Sequence, residues 1–205
     1  MKKMTALLML VLTMGLCILP AQAEVERSKL LDAAFSMLEE GNDFVRRYNE
    51  MTGAEVEATF VDGCPYFFGG KADDETTLTR LFSRAPLYSK REIWEQTRFY
   101  DKGSYYLYGL DCSGFVYWVF NNSLGYVIGH GGGAASQHDY CKPISWSEAQ
   151  PGDLVFYPGD THVGVFVGKD SNGDPLIIHC ASSQNNVVLT GLQGFVSIGR
   201  PDCFS

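Results

Sequence analysis

Two hydrophobic periodicities divide the chain. Between Gly109 and Phe120 the run G-L-D-C-S-G-F-V-Y-W-V-F sets Phe115, Val116, Val119 and Phe120 at i, i+1, i+4 and i+5, the spacing of a helix buried along one stripe. Asp111 falls at its N-cap and Cys112 at its first position. From Trp146 onward the pattern changes to short β-branched and aromatic runs: P-G-D-L-V-F-Y (Pro151 to Tyr157), H-V-G-V-F-V-G (His162 to Gly168) and P-L-I-I-H-C (Pro175 to Cys180). Turn residues separate them, most clearly from Asp170 to Pro175, so an antiparallel meander is expected.

Upstream, Glu24 to about Met51 carries Leu31, Ala34, Leu38, Phe44, Val45 and Tyr48 on one side and charges elsewhere. This predicts an N-terminal helical arm over 24–55 that Gly41-Asn42 divides in two. A short helix near Ala54 to Phe60 leads into D-G-C-P-Y-F-F-G-G, where Pro and paired Gly hold an aromatic cluster in a tight turn that presents Tyr66. The following stretch, Lys71 to Tyr108, is polar and tyrosine-rich, with one helix expected near Lys90 to Phe99. Its length suits a lid or binding insert. Gly129 to Gln137 (G-H-G-G-G-A-A-S-Q) has neither the preceding strand nor the following Lys of a phosphate-cradling loop and reads as a flexible loop.

Residues 1–23 stand apart from this pattern. Lys2 and Lys3 precede an apolar run from Ala6 to Leu19, and Ala21-Gln22-Ala23 ends it with small residues at a cleavage position, the layout of a secretory signal peptide. The run is shorter than the ~20 residues that span a bilayer, so no membrane span is expected after its removal. Removal takes two lysines and no acids, moving the net charge from −8 to −10. So acidic a chain is a poor partner for nucleic acid. Five cysteines remain, Cys64, Cys112, Cys141, Cys180 and Cys203, and an odd number leaves at least one thiol unpaired in an exported protein.

A thiol at a helix N-terminus meets unpaired N–H groups and the positive end of the dipole, which favours thiolate and makes Cys112 a candidate nucleophile; the neighbouring Asp111 carboxylate acts the other way. Of the four histidines, His130, His138, His162 and His179, two fall on adjacent strands. His162 shares a face with Gly164 and Phe166, and His179 with Ile177, so the pair can sit side by side, one as base and one orienting it. Zinc is disfavoured because no C-x-x-C or H-x-x-x-H pair exists. The Asp170, Asn172, Asp174 cluster lacks the spacing and closing Glu of a calcium loop. Neither a metal nor another cofactor is expected.

In order, P-Y-F-F-G-G, G-L-D-C-S-G-F, Q-P-G-D-L-V-F-Y, T-H-V-G-V-F-V-G and I-I-H-C resemble the motif series of the NlpC-type cell-wall cysteine peptidases, over residues 56–205. The resemblance implies an α+β, papain-like core with an N-terminal helical part on an antiparallel meander. It implies a catalytic Cys112, His162 and His179, with Tyr66, Asp111 and Ser113 on the oxyanion and substrate-binding side. The implied substrate is the peptide stem of peptidoglycan, most often at the D-glutamyl to diaminopimelate bond, and the implied location is extracytoplasmic. The insert before D-C-S-G-F is longer than the family pattern, and wall-binding repeats are not visible. A different bond, as in an amidase or acyltransferase, and a non-catalytic wall-binding module are the alternative expectations.

Overall fold

A computed structural model describes residues 22–38, 64, 66–73, 109–184 and 186–205. The predicted leader up to residue 21, the second half of the helical arm, the short helix expected near Ala54 to Phe60, and residues 74–108 of the insert expected over 71–108 lie outside the described residues. Helix α1 spans 22–35, α2 Cys112–Leu124 and α3 Ala134–His138. Six strands follow α2: β1 Cys141–Pro143, β2 Leu154–Phe156, β3 Val163–Lys169, β4 Pro175–Ala181, β5 Asn186–Thr190 and β6 Ser197–Pro201. They form one antiparallel sheet in the order β1-β6-β2-β3-β4-β5. The class is α+β.

Alternation along the strands builds a core on each face. Leu154, Phe156, Val163, Val165, Ile178 and Cys180 point to the side occupied by α2, where Phe115, Val116, Val119 and Phe120 are fully buried. Val155, Phe166, Ile177 and Ile198 point to the opposite side and close a smaller cluster around Phe195. The Asp170 carboxylate accepts from the backbone N–H groups of Asn172 and Asp174 and closes the β3–β4 hairpin, the turn expected from its residues.

Four details depart from the sequence expectation. Helix α1 begins at Gln22, within the last two residues of the predicted leader, and buries Leu30 and Ala34, with Met37 buried in the turn that follows, whereas Leu31 is only partly covered. Strands β1, β5 and β6 join the three expected runs. Two of them, C-K-P and S-I-G-R-P, are short or interrupted by Gly and Pro, and pairing rather than propensity makes them strands; the third, N-V-V-L-T, is rich in β-branched residues and was not singled out by sequence reasoning. Finally, Gly129–Gln137 is not simply a loop: a 3₁₀ turn at Ile128–Gly131 passes into α3, whose A-A-S-Q-H favours helix once the glycines end.

A buried charge cluster ties α1 to the sheet. Asp153 is fully buried just before β2 and accepts from Arg27 Nη1 at 3.1 Å, from Arg200 Nε and Nη2 at 3.2 and 3.0 Å, and from the Gln150 N–H at 2.8 Å. Arg27 also donates to the Pro151 carbonyl and lies 4.1 Å over the Phe204 ring. Removing the carboxylate leaves two guanidinium groups facing each other in a partly dry site, so Asp153→Ala should lose about 3–5 kcal/mol in urea unfolding. A loss below about 1 kcal/mol would show that α1 is held by apolar contacts alone.

Candidate active site

The site starts from one carboxylate. Asp111 caps α2: its Oδ1 accepts from the Gly114 N–H at 2.6 Å and from Ser113 Oγ at 2.8 Å. Its Oδ2 accepts from the Gly69 N–H at 2.9 Å, drawing in the Tyr66–Gly70 turn. Backbone bonds complete the join, with Phe67 N–H to the Leu110 carbonyl and Asp111 N–H to the Gly70 carbonyl. The approach is so close that a Cβ on Gly114 would lie 1.9 Å from the Gly70 oxygen, so only glycine fits there. Tyr66, bridged to Leu110, is thereby held beside Cys112. Asp111 and Ser113, expected on the substrate-binding side, spend their polar atoms on this scaffold; Ser113 is buried and its carbonyl accepts from Gln137 Nε2.

The histidines come from β3 and β4. His162 immediately precedes β3, and His179 lies within β4 with two residues of strand beyond it. Nε2 of His162 and Nδ1 of His179 are 2.7 Å apart, and the rings meet edge to face. Gly164 makes room for this: a Cβ there would lie 2.7 Å from Ile177 Cγ2 and 3.1 Å from His179 Cβ. The far nitrogen of His179, Nε2, lies 3.0 Å from Thr190 Oγ1 at the end of β5. Phe195 packs on both imidazoles and Tyr157 on His162. Next along the chain from His162, the Val163 backbone N–H lies near enough to Cys112 to favour its thiolate.

Thr190, Phe195 and Tyr157 were not singled out by sequence reasoning. Thr190 ends a β-branched run whose register alone brings it to His179, and Phe195 reaches both histidines from the loop between β5 and β6. The other two histidines lie apart from this cluster. His138 stacks on Phe156 and bonds Asp160 at 2.7 Å, and His130 meets Tyr140 edge-on. Cys112, Cys141, Cys180 and Cys203 are free thiols, and Cys64, Cys141 and Cys180 are buried.

A sequence profile described as the NlpC/P60 family matches residues 63–194, more than half of the chain. The chain belongs to the NlpC/P60 family. It is 46% identical over 61 residues to a protein named probable endopeptidase p60 from Listeria grayi, covering 28% of this chain and 11% of that one. It is 44% identical over 67 residues to the bifunctional muramidase/DL-endopeptidase CwlT of Bacillus subtilis, covering 30% of this chain and 20% of that protein. These matches span only a tenth to a fifth of the relatives' length. Among solved structures, the peptidoglycan hydrolase RipB of Mycobacterium tuberculosis aligns with a TM-score of 0.46 and 22% identity, over 85% of this chain and 67% of that one.

Electrostatics reverse one expectation drawn from the helix dipole. In this NlpC/P60 domain, burial first and the Asp111 carboxylate second push the Cys112 thiol up to about 11, outweighing the N–H donors of Val163, Ser113 and Cys112 itself. Burial pushes His162 down to about 4, and burial together with His162 pushes His179 down to about 3. At neutral pH the resting site therefore holds a thiol and two neutral imidazoles, not a thiolate beside an imidazolium. Burial, with Cys112 and Asp111 nearby, raises the Tyr66 phenol far above its usual range, so it remains an O–H donor.

Two measurements follow from these shifts. Alkylation of Cys112 by iodoacetamide, followed by peptide mass, should be slow at pH 7 and rise about tenfold per pH unit up to pH 10; a plateau reached by pH 6 would mean a preformed ion pair. Stability should respond as well. Above the ordinary imidazole value of 6.5 both states of each histidine are neutral, whereas below it the unfolded chain takes up protons that folded His162 and His179 refuse until about pH 4 and 3. The contribution is intact above pH 6.5 and lost as pH falls from there, and His179→Gln should flatten the loss. Identical acid profiles for the two proteins would contradict it.

Proposed function

We propose that this NlpC/P60 chain is an exported cysteine hydrolase that cleaves an amide bond in the peptide stem of peptidoglycan, between D-glutamate and diaminopimelate. The observation that carries the reading is the His162–His179 hydrogen bond, with Val163, the next residue after His162, near enough to Cys112 for its backbone N–H to favour the thiolate. Family membership, the names of the relatives and the leader-like residues 1–23 support it. His162 Nε2 is committed to His179, which leaves Nδ1 to take the thiol proton.

With thiol and imidazole both neutral, proton transfer accompanies attack rather than preceding it. Cys112 Sγ bonds to the carbonyl carbon as His162 accepts the thiol proton, and the oxyanion receives hydrogen bonds from the Tyr66 hydroxyl and the Cys112 N–H. The imidazolium then protonates the departing amine as the C–N bond breaks, leaving a thioester. Water, deprotonated by His162, attacks the thioester and releases the acid and the thiol. His179 holds the His162 ring in place throughout.

The test is to incubate the protein with defined tripeptide and tetrapeptide muropeptides and weigh the fragments. The expected products carry a new amino terminus at diaminopimelate, with no turnover by Cys112→Ala and a rate 10²–10⁴-fold lower for His162→Ala. Cleavage between the sugar and the first alanine, leaving stems whole, would make the protein an amidase. Full activity in Cys112→Ala would remove the nucleophile assignment.

A further inference from the structure

We propose that Thr190 is a positioning residue that fixes the tautomers of His179 and His162 and so leaves His162 Nδ1 as the bare nitrogen able to take the thiol proton. This rests on the roles given above to Cys112, His162 and His179. Register supplies the placement: Thr190 pairs with Ile177 and Val188 with His179 across β4 and β5, so Thr190 lies diagonally from His179 on one face of the sheet.

Assigning one proton sets the direction of every bond. We assign the single Thr190 hydroxyl proton to the Gly191 carbonyl, 3.1 Å away, a group that can only accept. Thr190 Oγ1 therefore meets His179 Nε2, at 3.0 Å, as an acceptor, and Nε2 carries the hydrogen. In a neutral imidazole the other nitrogen is then a lone pair, so His179 Nδ1 accepts from His162 Nε2–H at 2.7 Å. His162, also neutral, keeps no hydrogen on Nδ1. When Nδ1 gains the thiol proton, the imidazolium still donates through Nε2 to His179; when that proton passes to the leaving amine, His179 and Thr190 are unchanged.

Losing the acceptor reverses the chain. In Thr190→Val, of nearly the same shape, His179 Nε2–H faces a methyl group in a half-buried site, and the Nδ1–H tautomer of His179 becomes competitive. That tautomer donates to His162 Nε2 and moves the His162 proton to Nδ1, where it blocks the base. A wrong tautomer stops general-base chemistry even with the rings in place. Thr190→Ser retains the acceptor.

The experiment is ¹⁵N NMR of the ring nitrogens in histidine-labelled protein at pH 7, alongside muropeptide kinetics. Both His162 and His179 should be Nε2–H tautomers in the unmodified protein and in Thr190→Ser. Thr190→Val should shift His179 towards Nδ1–H and lower kcat about tenfold with KM unchanged. His179 found as Nδ1–H in the unmodified protein, or Thr190→Val keeping both tautomers and kcat, would overturn the proposal. If Thr190→Val does not fold, the spectra of the unmodified protein decide alone. The tautomers are read without substrate, so inactivity on muropeptides would remove the hydrolase reading while the relay stood or fell by its spectra.

Discussion

The Asp111 carboxylate is the constraint on which the site depends. One oxygen caps α2 through Gly114 and Ser113, and the other holds the Gly69 amide, so helix start and aromatic turn form a single unit. Gly114 permits the contact because a Cβ would overlap the Gly70 carbonyl. Tyr66 and Cys112, distant in sequence, are set side by side by a backbone that has little freedom to separate. The same carboxylate adds to burial in raising the Cys112 thiol pKa, so the group that builds the site also disfavours a thiolate within it.

Burial governs the electrostatics. Helix-dipole and amide interactions stabilise a thiolate by amounts that low polarity around Cys112 exceeds, and the same dryness keeps both imidazoles neutral. A resting site without separated charge avoids the cost of burying an ion pair and leaves the thiol little reactive until a carbonyl arrives. In the proposed reaction charge develops only during attack, where the Tyr66 hydroxyl and the helix amide can meet it. The proposed proton relay ending at Thr190 follows the same logic, since a hydroxyl can fix an imidazole tautomer without adding an anion.

The sheet supplies the remaining geometry. Its strands carry apolar residues on both faces, one packed under α2 and one around Phe195, so the histidines are gripped by ring contacts as well as hydrogen bonds. At the other end of the domain, Asp153 with Arg27 and Arg200 fastens α1 across the entry to β2 and the end of β6. Between these two anchorages β3 runs through the interior of the sheet, with β2 on one side and β4 on the other.

The sequence by itself determined the features that are local: the capped helix α2 from its stripe and Asp111, the Asp170 turn, the three main strands and the shared face that allows His162 and His179 to meet. Its ordered motifs were sufficient for the family. What only the tertiary structure decided depends on partners remote in the chain. Strands β1 and β6 exist through pairing, α1 buries Leu30 rather than Leu31 because the sheet selects the face, Thr190 reaches His179 through strand register, and Phe195 packs on both imidazoles from the following loop. Protonation states were illegible for the same reason: a helix N-terminus can be read from neighbours in sequence, but the dryness around Cys112 is made by residues far from it, and desolvation outweighs the dipole.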